Sequence, residues 1–176
     1  FDEAEQQLEA ARSLSPTSPA FNTNLGVIKL FAGKLDAAES QLLHASSLEP
    51  SFSGPHWWLS RCYKAKGDNA RFFAKAAMAM RLDGDDATAA VLEASDLTDE
   101  TKLERWYDSW QSKVGTDLVN AHDLAWVATY KGDVEQTLKW LEVSVTEKHP
   151  WATWIKVEPE LIFVRDEPRF KRLIDE

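Results

Sequence analysis

Cysteine is almost absent from this chain of 176 residues. Cys62 is the only one, so neither an intrachain disulfide nor a zinc site built from cysteines can form. It falls on a predicted helix, where we expect a buried small hydrophobic side chain rather than a reactive thiol. The four histidines show none of the short spacings of zinc-binding helices. The sequence therefore predicts no metal site and no cofactor.

Several motifs that carry chemistry are also missing. No apolar run approaches the roughly 18 to 20 residues of a membrane span, and there is no glycine-rich phosphate loop or nucleophile elbow. The run Asp83-Gly84-Asp85-Asp86 lacks the glycine and glutamate that a calcium loop requires further along. We interpret it as a turn whose acids cap the next helix. We therefore expect a soluble, non-enzymatic chain with no catalytic residues.

Positive charge is in deficit. The chain has 29 acidic and 20 basic residues, a net charge of −9, which disfavours nucleic acid as a partner of this domain. We expect no membrane contact by this segment either. By contrast, 8 Trp, 8 Phe and 3 Tyr supply enough apolar burial for a folded core and argue against disorder.

Similar residues recur every 34 positions along the first half of the chain. The recurring residues are Ala4, Leu8, Ala11 and Pro16, which return as Ala38, Leu42, Ala45 and Pro50, and Leu25-Gly26 and Gly33, which return as Leu59-Ser60 and Gly67. A fixed period of this length predicts stacked helical hairpins, none of which can bury its apolar face alone.

Proline, glycine and capping residues divide the chain into predicted helices, and Asp133 with Gln136 three residues later predicts a capping box at the start of the last paired helix. The predicted helices are 2–15; 20–32 and 35–48; 54–66 and 69–82; 86–96 and 98–113; 118–130 and 134–147; and two short ones at 151–158 and 160–175. The predicted repeats are 1–18 (partial), 19–52, 53–84, 85–117 (degenerate) and 118–150, followed by a helical C-terminal cap at 151–176. Because Phe1 begins inside the second helix of a hairpin, we expect the chain to be part of a longer protein.

The residues at the packing positions resemble those of the tetratricopeptide repeat (TPR) family. Small residues alternate there with large ones: Gly26, Ala38 and Ala45 with Leu25, Leu42 and Tyr63, closed by Pro50. Small residues let helices approach closely, and large ones fill the gaps between hairpins. The resemblance implies an all-α, right-handed α-solenoid of antiparallel helix hairpins over residues 1–150, sealed by the cap.

The second half is similar to the TPR domains that close many bacterial signalling proteins, among them winged-helix regulators, adenylate cyclase-like proteins and kinases. The matching segments are Asp123-Leu124-Ala125, Gly132-Asp133, Leu138-Lys139-Trp140-Leu141-Glu142, Pro150-Trp151, Val157-Glu158-Pro159 and Arg165-Asp166-Glu167-Pro168-Arg169-Phe170. This resemblance implies a non-catalytic regulatory or docking module attached to an effector domain. For the compartment, the bacterial cytoplasm is favoured and the periplasm stays open.

In such repeats the first helix of each hairpin lines a concave groove. The residues outside the packing positions there are the candidate partner-binding set: Thr23, Val27 and Leu30; Trp57, Arg61 and Lys64; and His122, Trp126 and Tyr130. An aromatic groove beside Arg61 and Lys64 suits a peptide that carries an acidic group. The alternative is that Trp57 and Trp126 pack against neighbouring helices.

Further aromatic residues and further functions stay open. Trp106, Tyr107 and Trp110 recur at helical spacing on one helix, which favours packing between hairpins over stacking on a ligand. Trp140, Trp151 and Trp154 are expected to pack the last repeat against the cap, although a dense aromatic cluster at the end of an array also suits a homodimer surface. The favoured function is a protein-protein interaction scaffold that binds a peptide segment or a partner domain. The alternatives are a small-molecule sensor that controls an attached effector and an accessory domain of an enzyme.

Overall fold

The computed structural model describes residues 1–116 and 118–175, and these residues are helical apart from turns and isolated bridges at Val114–Val119 and Thr116–Val119. The α-helices are α1 Asp2–Leu14, α2 Pro19–Phe31, α3 Leu35–Leu48, α4 Gly54–Ala65, α5 Asn69–Leu82, α6 Asp86–Glu93, α7 Asp99–Gln111, α8 Ala121–Lys131, α9 Val134–Thr146 and α10 Pro168–Asp175. Two short 3₁₀ segments, Pro150–Trp154 and Pro159–Val164, lie between α9 and α10. The all-α prediction is confirmed.

The chain divides into two compact units, Phe1–Ala94 and Ser95–Glu176, called here the N-terminal and C-terminal units. The division falls inside the predicted repeat 85–117, so α6 belongs to the first unit and α7 to the second.

In the N-terminal unit each helix packs against the next one along the chain. The most extensive helix–helix contacts are those of α2 with α3 and of α4 with α5, and α3 also packs against α4. Leu25, Leu42, Leu59 and Phe72, one from each of these helices, are fully buried. Their spacing in the sequence therefore produces one continuous apolar core that runs from hairpin to hairpin.

Gly26 shows why a small residue recurs at the packing positions. An added Cβ there would lie 2.5 Å from Cγ of Leu42, well inside van der Waals contact. The absence of a side chain at Gly26 lets α3 approach α2 until the buried Leu42 fills the gap.

Aspartate side chains cap the N-termini of two helices at the positions that the sequence predicts. Asp68 accepts a hydrogen bond from the amide of Arg71 at 2.9 Å, which starts α5. Asp85 accepts one from the amide of Thr88 at 3.2 Å, which confirms the interpretation of its acidic run as a turn with caps. Each bond satisfies a backbone donor that the first helical turn leaves without a partner.

In the C-terminal unit α7 packs against α8, α8 pairs with α9, and the 3₁₀ segments and α10 pack on α9. The Nε1–H of Trp140 donates to the hydroxyl of Tyr107 at 2.8 Å, and that hydroxyl donates to Oε1 of Gln136 at 2.8 Å. Trp106, Tyr107 and Trp110 are buried, as the expectation of packing requires.

Three local predictions in this unit are wrong. First, α8 begins at Ala121 rather than at 118, because Asn120 and Asp123 form a capping box. Second, Asp133 accepts from the amide of Gln136, but the predicted reciprocal bond is replaced by the bond from Tyr107 to the Gln136 side chain.

The third correction concerns the tail. The predicted helix at 151–158 is a 3₁₀ segment, and the predicted helix at 160–175 divides into Pro159–Val164 and α10. Pro168 stands at the first position of α10. Proline has no amide hydrogen and disfavours helical geometry in the residue before it, so one continuous helix cannot form there.

Candidate functional site

The α4 candidates Trp57, Arg61 and Lys64 are spaced by four and three residues, which places them on one helix face. Trp57 is half-buried, and its Nε1–H donates to Oδ2 of Asp83 at 2.8 Å. Lys64 is also half-buried; its ammonium lies 5.2 Å from the ring centroid of Phe72. Both side chains therefore combine internal contacts with surface that a partner can reach.

Arg61 differs from its two neighbours because it is only 2% exposed. Its guanidinium carbon lies 4.5 Å from the ring centroid of Trp58 and 5.5 Å from that of Phe31. Two aromatic faces thus stabilise the cation in the interior of the unit, where it joins α2 to α4. In this conformation Arg61 is a packing residue.

The α2 candidates Thr23, Val27 and Leu30 are buried as well, at 4%, 4% and 1% exposure. The hydroxyl of Thr23 donates to the carbonyl oxygen of Pro19 at 2.7 Å. A partner that contacts these three side chains must first displace the groups that cover them. Their assignment to a groove stays a prediction.

In the C-terminal unit His122 lies at the centre of a buried polar cluster. Its Nε2–H donates to Oε1 of Glu158 at 3.2 Å, and its Nδ1 accepts from the hydroxyl of Ser144 at 3.1 Å. We assign this tautomer because it lets the Glu158 side chain accept from both His122 and Trp126. All three side chains have no exposed surface. The cluster therefore joins α8, α9 and the start of the second 3₁₀ segment.

Glu158 holds further groups in place around this cluster. The Nε1–H of the half-buried Trp126 donates to Oε2 of Glu158 at 3.2 Å, and Arg165 donates to the carbonyl oxygen of Glu158 at 3.1 Å. Tyr130, the remaining candidate on α8, is half-buried with its ring centroid 6.4 Å from that of Trp106. Sequence reasoning did not assign Glu158 to a site; its signals are its position immediately before a proline and its place in the matching segment Val157-Glu158-Pro159.

His122 links Ser144 to Glu158 by hydrogen bonds, as a base links a nucleophile to an orienting acid in a catalytic triad. The chemistry of such a relay requires a substrate carbonyl in contact with the serine oxygen. Ser144 has no exposed surface, so nothing outside can reach it in this conformation. The arrangement can hold the cap in register but cannot carry out acyl transfer as it stands.

His149 lies against the cluster, with its ring 5.7 Å from that of His122 and nearly parallel to it. Burial lowers the pKa of His149 below its ordinary value. The lowered pKa favours the neutral ring, in which Nδ1 can accept the amide hydrogen of Trp151 at 3.4 Å.

The same part of the unit contains a cavity of about 460 Å³ that sequence reasoning did not find. The end of α9, the first 3₁₀ segment and the end of α10 surround it. Six of its ten described lining residues are apolar, and the polar ones are Lys148, His149, Thr153 and Lys156. The cavity can admit a small molecule with an apolar body.

Cys62 is fully buried, and its thiol donates to the carbonyl oxygen of Leu35 at 3.4 Å. Burial raises the pKa of this thiol to about 11, because the apolar surroundings disfavour the thiolate. The expectation of a buried small hydrophobic residue is confirmed.

Two searches of the described residues are negative. None of the histidine, cysteine, aspartate and glutamate side chains in 1–116 and 118–175 form a group of three or more that could hold a metal ion. Over the same residues, each helix is too short or too polar to cross a bilayer.

No protein-family model, curated protein sequence or solved structure matches this chain significantly.

Proposed function

We propose that the chain is a non-catalytic, TPR-like interaction module that binds a peptide segment or a partner domain, as a regulatory part of a larger bacterial signalling protein. The observation that carries the proposal is the serial packing of helix pairs in the N-terminal unit, together with the pair α8 and α9 in the C-terminal unit. Such series expose long faces rather than one deep pocket. A right-handed solenoid is part of this proposal.

The contact surface that we propose in the N-terminal unit contains Trp57 and Lys64. Tryptophan dominates many binding hot spots because it offers a large apolar area at little entropic cost. The Lys64 ammonium favours a partner with an acidic group near its apolar anchor. In the C-terminal unit Trp126 and Tyr130 are the corresponding half-buried side chains. A second copy of the chain is the alternative partner.

The proposal is tested with peptides selected from a random display library on the purified chain. A selected peptide is then measured by fluorescence anisotropy against Trp57→Ala and Lys64→Glu. Loss of a hot-spot tryptophan costs about 1.4 kcal/mol or more, so we expect the affinity of Trp57→Ala to fall at least about tenfold. Arg61→Glu is unsuitable, because it would place an anion among buried rings.

The matched controls lie on other helices of the same unit. Leu43→Ala removes an exposed apolar side chain from α3, and Lys75→Glu reverses a charge on α5. Both should bind the peptide as the parent does, and all variants should keep the parent's circular dichroism. If no peptide is enriched, or if the controls lose as much affinity as Trp57→Ala, the proposed surface is wrong.

The small-molecule sensor is retained as a second candidate because of the cavity in the C-terminal unit. A bound metabolite would raise the melting temperature of the chain by mass action. A thermal-shift screen of metabolites therefore separates the two functions, since the peptide function does not require any such shift.

A further inference from the structure

The cavity in the C-terminal unit has the size of a small-molecule site. Its volume of about 460 Å³ lies within the range of roughly 300–1,000 Å³ that such sites occupy. Val145 from α9, Ile155 from the turn after the first 3₁₀ segment, and Leu173 and Ile174 from α10 contribute apolar walls. Arg169, which donates two hydrogen bonds to Glu142 at 2.8 Å, fixes the start of α10 against α9.

Two ammonium groups accompany these apolar walls. Lys148 and Lys156 both line the cavity, and neither forms an ion pair with an acid in the described part of the chain. Both lysines are exposed, so their ammonium groups are accessible to a ligand at the mouth of the cavity. The lining residues that the structure describes include two lysines and no aspartate or glutamate, a charge balance that favours an anionic occupant.

The backbone at Lys148 provides an independent observation. Its φ of 54° lies in the left-handed region, and in the described residues it is the only non-glycine with a positive φ. Gly33 and Gly67 occupy the same position, one residue beyond the C-cap, after α2 and α4. Glycine adopts this conformation without steric cost, whereas lysine does not. A backbone conformation that is unfavourable for lysine therefore falls on a residue that lines the cavity.

We propose that this cavity binds a small organic anion with an apolar body, of the chemistry of a medium-chain carboxylate. The apolar body would lie against Val145, Ile155 and Ile174, and the carboxylate would interact with Lys148 and Lys156. A peptide is disfavoured, because the described residues of the lining include no Asn, Gln or Arg side chain and no sheet edge to pair with a peptide backbone.

The probe is decanoate, titrated into the purified chain by isothermal calorimetry, with 1-decanol as the uncharged analogue. We expect decanoate to bind more tightly than decanol, with an affinity that falls as salt is added. Replacement of both lysines, Lys148→Met with Lys156→Met, should weaken decanoate binding about tenfold, which is the sum of two partly screened charge interactions, and should remove the salt dependence.

Lys171→Met is the matched control. Lys171 lies on α10, is well exposed and forms an ion pair with Asp166 at 3.5 Å. Because Lys171 does not line the cavity, Lys171→Met should bind decanoate as the parent does. Ala152→Phe, which fills the cavity, should abolish binding of decanoate and decanol alike. Circular dichroism and unfolding curves establish that each variant is folded.

The proposal fails if decanoate does not bind, if decanol binds equally well, or if Lys171→Met weakens binding as much as the double variant. It also fails if an acidic amphipathic peptide binds through the same two lysines while decanoate does not. The site does not depend on the proposed peptide function: Trp57→Ala should leave decanoate binding unchanged, so that either proposal can fail without the other.

Discussion

Replacing Gly26 with alanine should destabilise the N-terminal unit, although alanine is the better helix former. The new Cβ would lie 2.5 Å from Cγ and 2.6 Å from Cδ2 of Leu42. Leu42 is fully buried and belongs to the apolar core, so its branch point cannot move aside without disturbing the neighbours. Overpacking of this kind costs about 1–3 kcal/mol, and the gain in helix propensity offsets about 1 kcal/mol of it.

The physical cause can be isolated by a double-mutant cycle with Leu42→Ala, which removes the atoms that the new Cβ would meet. Leu42→Ala alone costs about 2–5 kcal/mol, because it leaves a cavity. In that background, however, Gly26→Ala should be neutral or stabilising by up to about 1 kcal/mol. The coupling between the two positions should therefore be clearly favourable.

The measurement is urea unfolding, followed by circular dichroism, of the parent, both single variants and the double variant. Gly33→Ala serves as a control for glycine replacement without a clash: its φ is 73° and nothing lies within 4 Å of its added Cβ. Its cost should be conformational, about 1 kcal/mol, and unchanged by Leu42→Ala. If Gly26→Ala lowers the free energy of unfolding equally in both backgrounds, steric contact with Leu42 is not the cause.

The remaining predictions concern buried or ion-paired groups. Glu158→Ala should lower the free energy of unfolding by about 2–4 kcal/mol, because the buried His122 loses its acceptor. Glu158→Gln keeps an acceptor and should lower it by less. Urea unfolding of both variants and the parent measures the two differences. Hydrogen bonds from Lys29 first, and then from Lys34, lower the pKa of Glu5 to about 2. The contribution of the ionised Glu5 to stability should therefore be complete above about pH 4.5 and be lost as the pH falls towards 2. NMR titration of Lys29→Met should show a pKa of Glu5 that is higher than in the parent. The Cys62 thiol, whose burial raises its pKa to about 11, should resist iodoacetamide at pH 8 and react only in denaturant; rapid alkylation of the native chain would contradict the buried environment.

The fold class and the helix positions could be predicted because their signals are local. Gly33 after α2 and Asp68 before α5 act within one helical turn, and the apolar spacing needs only the next hairpin to be satisfied. The start of α8 was missed because the choice between an earlier helix and the Asn120–Asp123 box depends on small energy differences.

The candidate site was harder to predict, because periodicity identifies a helix face but not what covers it. Arg61 was expected at a surface, as arginine usually is, yet two rings from α2 and α4 enclose its guanidinium. His122 was assigned to a groove, but its partners Ser144 and Glu158 lie 22 and 36 positions away along the chain. The cavity likewise requires three separate segments to meet, which spacing in the sequence cannot reveal.

The buried link through His122, Ser144 and Glu158 has a consequence for anyone who exchanges parts of this protein. Apolar surfaces tolerate many substitutes of similar volume, whereas a buried hydrogen-bonded trio loses stability when any one partner is missing. A chimera that transplants the C-terminal tail onto another helical hairpin must therefore bring the serine, the imidazole and the carboxylate together. If the donor hairpin matches the original only in its apolar surface, the tail would not pack against it in one defined position.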